Sequence, residues 1–263
     1  MWMDTADLCF NNLLLLEREQ ISWFANWNWT DERCLAEALH AHPVVTWYLK
    51  NKCPDIVPWL EYLLDRYGSV SDAGQIYEAE QSVLQDINDL MVYVVDPAVY
   101  DEQPFLRWDD EQLTDLVDFR GQTVVDIGAG TGRLSLVAAR MGAAVVYAVE
   151  PVGNLRRYLR RRAAELGHEA FYAVDGLITR IPLADNTADV MLAGHVVGEC
   201  VRRECEEMER VTRPGGKIIL CPGNGDKDDR IHQQLCDRGF EWARFEQPSA
   251  GWVRKYYKDT AAC

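Results

Sequence analysis

The chain has no long apolar run, no paired-cysteine motif, no internal repeat, no low-complexity tract and few basic residues in its first half. No uncharged apolar stretch nears the ~20 residues that cross a bilayer. The greasiest early segment, Leu13 to Leu16, is enclosed by Asn11-Asn12 and Glu17-Arg18. The start, Met1-Trp2-Met3-Asp4, lacks the basic opening of a secretory signal. A cytoplasmic setting without a membrane partner is therefore expected. Cysteine is present eight times, at 9, 34, 53, 200, 205, 221, 236 and 263, but never as Cys-x-x-Cys. At 263 residues and 48% hydrophobic content the chain needs no disulfide staples. These thiols read as scattered and reduced, and no metal is expected, although spacing alone leaves a soft-metal site from distant cysteines open.

Bases are scarce up to residue 118, where 23 acidic side chains face 6 basic ones. The rest holds 19 against 21, and the whole chain carries −15. So acidic a region repels nucleic-acid phosphates and anionic lipid. It serves either solubility or a cationic or neutral substrate beneath it.

Periodicity divides the chain into an aromatic-rich helical region, 1–104, and a second domain, 105–263. Thr30 is the expected N-cap before Asp31-Glu32, with Leu35, Ala38 and Leu39 on one face and Pro43 ending the run. Pro58 opens a helix bearing Leu60, Leu63, Leu64 and Tyr67, closed by Gly68. From about Gln75 to Val95, apolar residues at steps of three and four predict one long amphipathic helix. Trp2, Trp23, Trp27, Trp29, Trp47 and Trp59 are expected to fill a helical core or line a substrate cavity. Asp96 to Pro104 reads as a connector. Asp109 with Gln112 forms a capping-box pattern ahead of Leu113, Leu116 and Val117.

After Gly121, short apolar runs alternate with helical ones. Thr123–Ile127, Ala144–Val149, Ala170–Val174, Ala188–Ala193 and Lys217–Cys221 are candidate strands. Leu134–Arg140, Leu155–Leu166 and Arg202–Val211 are the helices between them. This alternation predicts an α/β domain, a doubly wound, mostly parallel sheet covered on both faces. Glu241–Phe245 and Trp252–Tyr257, parted by Pro248 to Gly251, predict a closing antiparallel hairpin, seven strands in all.

The informative stretch is Val124-Val125-Asp126-Ile127-Gly128-Ala129-Gly130-Thr131-Gly132-Arg133. It runs from strand to helix, where glycine permits a sharp turn and close backbone approach to a ligand. A dinucleotide fingerprint needs glycine at the sixth position, which here is Arg133. The third glycine comes one residue early, giving Asp-x-Gly-x-Gly-x-Gly. This sequence resembles the class I, Rossmann-like methyltransferases that use S-adenosylmethionine (SAM), of small-molecule type. The resemblance extends over roughly 120–258 through Glu150-Pro151, Asp175-Gly176, the segment 181–190 and Arg210 to Lys217. It implies SAM as cofactor and S-adenosylhomocysteine as product. Cofactor contacts are implied at Asp126, Gly128, Ala129, Gly130, Thr131, Gly132, Glu150, Pro151, Asp175, Gly176 and His195, with Glu150 on the ribose and Asp175 on the adenine.

After the fourth strand comes Gly194-His195-Val196-Val197-Gly198-Glu199. His195, with an ordinary pKa near ~6.5, is positioned either to take an acceptor proton or to cap the strand and touch cofactor. Glu199 would orient it or bind a cationic acceptor. No Asn/Asp-Pro-Pro-aromatic motif stands there, and Cys221-Pro222 reverses the order used by cytosine C5 enzymes, so nucleic acid is not the expected substrate. Arg156, Arg157, Arg160, Arg161 and Arg162 read as the wet face of a helix, and Arg254-Lys255 as protection of an edge strand. The expected activity is methyl transfer to oxygen, nitrogen or sulfur of a small molecule. Alternatives are a protein methyltransferase, a non-catalytic SAM-binding module and a nicotinamide oxidoreductase.

Overall fold

A computed structural model describes all residues except 1, 2, 6, 7, 28, 29, 224, 249, 262 and 263. The chain divides into two compact units, Met1–Tyr100 and Asp101–Cys263. Among the described residues no helix is long and apolar enough to cross a membrane.

The first unit is helical: α1 (Arg18–Trp27), α2 (Glu32–Ala41), α3 (Pro43–Lys52), α4 (Val57–Arg66), α5 (Ala73–Asp86), α6 (Asn88–Val95) and α7 (Ala98–Asp101), the last ending at the unit boundary. Leu16, Ile21, Leu35, Leu39, Leu60, Leu63, Val83 and Leu84 are buried in one core. Three local expectations are corrected. The N-cap of α2 is Asp31, not Thr30: its carboxylate accepts the Arg33 and Cys34 amides, a charged acceptor suited to the helix's positive end. Pro43 ends α2 but also opens α3, because proline lacks only an amide that a first turn leaves unused. The single long helix is broken at Ile87 (φ −97°, ψ 13°), where the Asn88 side chain is pinned by the Met3 backbone at 3.0 and 2.9 Å. Trp23 and Trp59 pack against the core. Trp47 does not, being 66% exposed. Trp2, Trp29, the Trp27 side chain and Cys263 lie outside the described residues. The connector at 96–104 contains α7.

The second unit begins with α8 (Glu111–Thr114), which has no capping box. Gln112 instead donates to the Glu246 carbonyl at 2.9 Å. The strands are β1 (Thr123–Ile127), β2 (Val145–Val149), β3 (Phe171–Val174), β4 (Ala188–Gly194), β5 (Thr212–Cys221), β6 (Glu241–Gln247) and β7 (Gly251–Asp259). The helices are α9 (Ser135–Arg140), α10 (Gly153–Glu165), α11 (Val201–Val211) and α12 (Arg230–Cys236). They form one sheet ordered β3-β2-β1-β4-β5-β7-β6. β1 to β5 run parallel, while β7 lies antiparallel between β5 and β6. Continuous apolar runs in β1, β4 and β5 follow from burial on both faces. Val124, Leu192 and Ile219 meet α9 and α10 on one face, and Val125, Met191 and Leu220 meet α11 and α12 on the other. The Pro214-Gly215-Gly216 turn is absorbed into β5 as an irregular register between Ala188 and Val190 of β4.

Two charged patterns are also corrected. Because β6 takes the edge, Arg254 and Lys255 on β7 are both buried. Arg254 bonds Asp226 at 2.6 Å and Asp228 at 2.7 Å, and stacks on Trp242 at 4.1 Å. Of the five arginines on α10, Arg157, Arg160 and Arg161 are exposed. Arg162 turns to Asp101 and the Tyr158 hydroxyl, and Arg156 reaches the strand ends.

Candidate active site

The strand order reverses between β1 and β4, since β2 and β3 lie on one side of β1 and β4 and β5 on the other. In an open α/β sheet the crevice at the carboxyl ends beside that reversal binds ligand. The glycine turn leaves β1 there. Gly128 has φ +66° and Gly130 φ +55°, a left-handed backbone that side chains with a Cβ disfavour by ~1–2 kcal/mol per residue. The amides of Gly128 and Ala129 donate to the Val149 carbonyl at 2.8 and 3.1 Å, which folds the turn over the end of β2. A Cβ on Gly128 would fall 2.3 Å from Val196, whereas one on Gly130 would meet nothing within 4 Å. The loop is thus packed by protein at its first glycine and open at its second.

Glu150, just beyond β2, is 5% exposed. Its Oε2 accepts the Gly130 amide and its Oε1 the Val152 amide, both at 2.9 Å. Burial raises its pKa to about 7 against the lowering effect of those amides. Each carboxylate oxygen has two lone pairs, so one acceptor position per oxygen remains for a pair of hydroxyls. Asp126 is 1% exposed. Its Oδ2 accepts the Ser135 amide at 2.9 Å, tying β1 to the start of α9, while Oδ1 has no hydrogen-bond partner. Burial likewise raises its pKa to about 7. Thr131 Oγ1, also buried, has no partner either. Unpartnered buried polar atoms around a glycine turn fit a ligand rich in polar groups.

Asp175, beyond β3, has a largely exposed carboxylate at 3.2 Å from Arg156. Gly176 packs against Pro182. Arg156 also donates to the carbonyls of Glu150 and Pro151 at 2.7 Å, so it ties the ends of β2 and β3 together. Arg156 therefore does not belong to the wet face expected for the five arginines of α10. The clue lay in the spacing, since Arg156 falls in the first turn of the helix following Glu150. A cavity of 170 Å³ lined by Thr131, Gly132, Arg133 and Arg162 lies beside the turn. It is smaller than the ~300 Å³ at which small-molecule pockets begin, and Arg133 and Arg162 are paired with Asp110 and Asp101.

His195 follows β4 with φ +56°, a strained backbone for a residue bearing a Cβ. Its ring meets Phe105 edge-on at 5.5 Å and lies against Gly223, where an added Cβ would sit 2.0 Å from Cε1. The residue as a whole is exposed, but the protein packed around its ring, then the Lys255 charge, lower its pKa below 6.5, so the neutral imidazole is favoured at pH 7. Glu199 is exposed and makes no hydrogen bond to His195 among the described residues. The loop is instead fixed by buried Glu204 of α11, which accepts the Gly198 amide at 2.9 Å and the Cys200 amide at 2.7 Å. Phe105, Gly223 and Lys255 come from distant segments and carried no local sequence signal. Among the described residues the cysteines 9, 34, 53, 200, 205, 221 and 236 are free, and no group of three or more acids, histidines or cysteines is placed to hold a metal.

The methyltransferase domain family matches residues 125–220, from β1 into β5. A ribosomal protein L11 methyltransferase of Methylococcus capsulatus is 31% identical over 144 residues, covering 53% of this chain and 46% of that one. A demethylmenaquinone methyltransferase of Mycolicibacterium paratuberculosis is 33% identical over 103 residues, 38% of this chain and 41% of that one. The chain thus spans under half the length of both relatives. The crystal structure of the cyclase SpnF shares the fold, with a TM-score of 0.50 at 16% identity over 69% of this chain and 96% of that one. The match to the methyltransferase domain family thus falls on the strands that carry the glycine turn, Glu150 and His195, and the sheet that holds them has the class I, Rossmann-like fold.

Proposed function

We propose that the chain is an enzyme transferring a methyl group from SAM to oxygen, nitrogen or sulfur of a small-molecule acceptor. The single observation carrying this reading is Glu150: a buried carboxylate with two free acceptor positions, closing a glycine turn at the strand-order reversal. The backbone of Gly128 to Gly132 would cradle the amino-acid part of the cofactor, Glu150 would accept both ribose hydroxyls, and Asp175 the adenine amino group. SAM supplies an electrophilic methyl group, so holding donor and acceptor in line in a dry site provides much of the acceleration. His195 is neutral at pH 7, and neither of its ring nitrogens is hydrogen-bonded within the described residues. Either nitrogen can take the proton that an acceptor hydroxyl, amine or thiol releases.

A small-molecule acceptor is supported by the demethylmenaquinone methyltransferase relative. The L11 methyltransferase relative supports a protein acceptor instead. The unpaired cysteines suit a reducing, cytoplasmic setting. Calorimetry with S-adenosylhomocysteine tests the reading. Glu150→Ala should weaken binding by ~1–3 kcal/mol, the loss of a charged acceptor. Unchanged affinity removes Glu150 from the site. Release of S-adenosylhomocysteine from SAM with small extracts, but not with purified ribosomal proteins, would separate the two acceptor classes.

A further inference from the structure

On β7, the sheet register pairs Tyr256 with Leu220, so Lys255 stands alongside Cys221. Cys221 in turn pairs with Gly194, the residue before His195. Lys255 therefore lies at the carboxyl-end rim of β4 and β5. It is 1% exposed. Its ammonium is 3.6 Å from the centre of the Trp108 ring and 5.5 Å from that of Phe245. Among the described residues it has no hydrogen bond and no ion pair. The other buried or half-buried cations of this unit differ. Arg254 holds two aspartates, and Arg133, on the same Trp108 ring at 3.9 Å, holds Asp110 and two carbonyls.

An ammonium almost wholly removed from water and given no protein acceptor is costly, and one aromatic face offsets only part of that. A neutral side chain of Lys255's shape would fill the same space against Trp108 with no such penalty. The position thus carries a cation that the resting protein does not satisfy, next to the crevice. Resting on the proposed SAM site, we propose that Lys255 binds a carboxylate of the bound ligand at this rim. The carboxylate has two possible sources, the amino-acid end of the cofactor or the acceptor.

Three ligands distinguish these sources, each measured by calorimetry on wild type and Lys255→Met. S-adenosylhomocysteine carries the carboxylate, 5′-methylthioadenosine lacks it, and benzoate is offered to the S-adenosylhomocysteine complex as a generic acceptor carboxylate. The variant should unfold at the same temperature as wild type or higher, and should lose about tenfold or more for one carboxylate ligand. Loss for S-adenosylhomocysteine with 5′-methylthioadenosine unchanged assigns the cofactor's carboxylate. Loss for benzoate alone assigns the acceptor's. Changes below about twofold for both overturn the proposal, as does equal weakening of all three ligands. If the Met variant fails to fold, Lys255→Gln carries the same readings. Should wild type bind no S-adenosylhomocysteine, the cofactor reading itself fails, and benzoate binding to the free protein then decides the role of Lys255 separately.

Discussion

The two glycines at 128 and 130 share a left-handed backbone but differ in what surrounds them, so alanine at each separates packing from ligand binding. At Gly128 the new methyl would sit 2.3 Å from Val196 Cγ1. Relief requires moving Val196, which adjoins His195. The left-handed conformation costs ~1–2 kcal/mol and overpacking another ~1–3, so Gly128→Ala should lose about 2–5 kcal/mol of stability. At ~2–4 °C per kcal/mol for a domain of this size, calorimetric unfolding of the second unit should fall by roughly 5–15 °C. At Gly130 nothing lies within 4 Å of the added atom, so only the conformational ~1–2 kcal/mol applies. Its methyl would, however, intrude on the cradle proposed for the amino-acid part of the cofactor. Gly130→Ala should therefore fold nearly as well as wild type and bind S-adenosylhomocysteine at least tenfold more weakly. If Gly130→Ala retained affinity within about threefold, the open space beside that residue would not be the cofactor cradle.

Other perturbations follow from the same contacts. The raised pKa values of Asp126 and Glu150, both about 7, mean that the native state holds protons between pH ~4 and 7 that the unfolded chain has released. Their contribution to stability is complete below pH ~4 and is lost as pH rises through 7, so urea midpoints should fall between pH 5 and 8. A rise over that range would contradict burial of these acids. Binding of S-adenosylhomocysteine should move the opposite way, tightening from pH 6 to 8 as Glu150 ionises, and Glu150→Gln should flatten that slope. Glu204→Ala should speed amide exchange at Gly198 and Cys200 by roughly 10–100-fold, the loss of ~1.5–3 kcal/mol charged hydrogen bonds, while amides in β1 remain protected. The His195 ring should titrate below 6.5 by NMR, and Lys255→Met should shift its midpoint upward by removing a nearby positive charge.

Much of the second unit is legible in the sequence because its central strands are apolar on both faces and its closing hairpin is parted by turn residues. β1 coincides with the expected Thr123–Ile127, and the hairpin of β6 and β7 with its turn near Pro248. Periodicity is a local property there, and local rules suffice. The first unit shows where they stop. The break at Ile87 depends on Asn88 meeting Met3, 85 residues away in sequence. Gln112 abandons a capping box for a carbonyl on β6. In both places a tertiary hydrogen bond outweighs a helix preference of a few tenths of a kcal/mol per residue.

The site divides along the same line: Glu199, expected to orient His195 or bind a cationic acceptor, makes no hydrogen bond to it among the described residues, while Glu204 fixes the loop and the Lys255 charge acts on the ring. Residues that follow a strand directly, such as Gly128, Glu150, Asp175 and His195, are delivered to the crevice by topology alone, so sequence order predicts their location. Residues that tune them arrive by pairing. Lys255 reaches the rim because β7 inserts between β5 and β6, and a hairpin read without its partner strand gives no means of knowing which face is buried. Read as an edge, Arg254-Lys255 is protection; read as an interior strand, the same dipeptide becomes one satisfied cation and one unsatisfied one. The difference is which of two antiparallel strands touches β5. Shortening the Pro248 to Gly251 turn so that β6 and β7 cannot pair should therefore expose Lys255, raise the His195 midpoint in its NMR titration and leave the protection of β1 amides intact. Persistence of the low His195 midpoint would show that its environment is set by Phe105 and Gly223 without the hairpin.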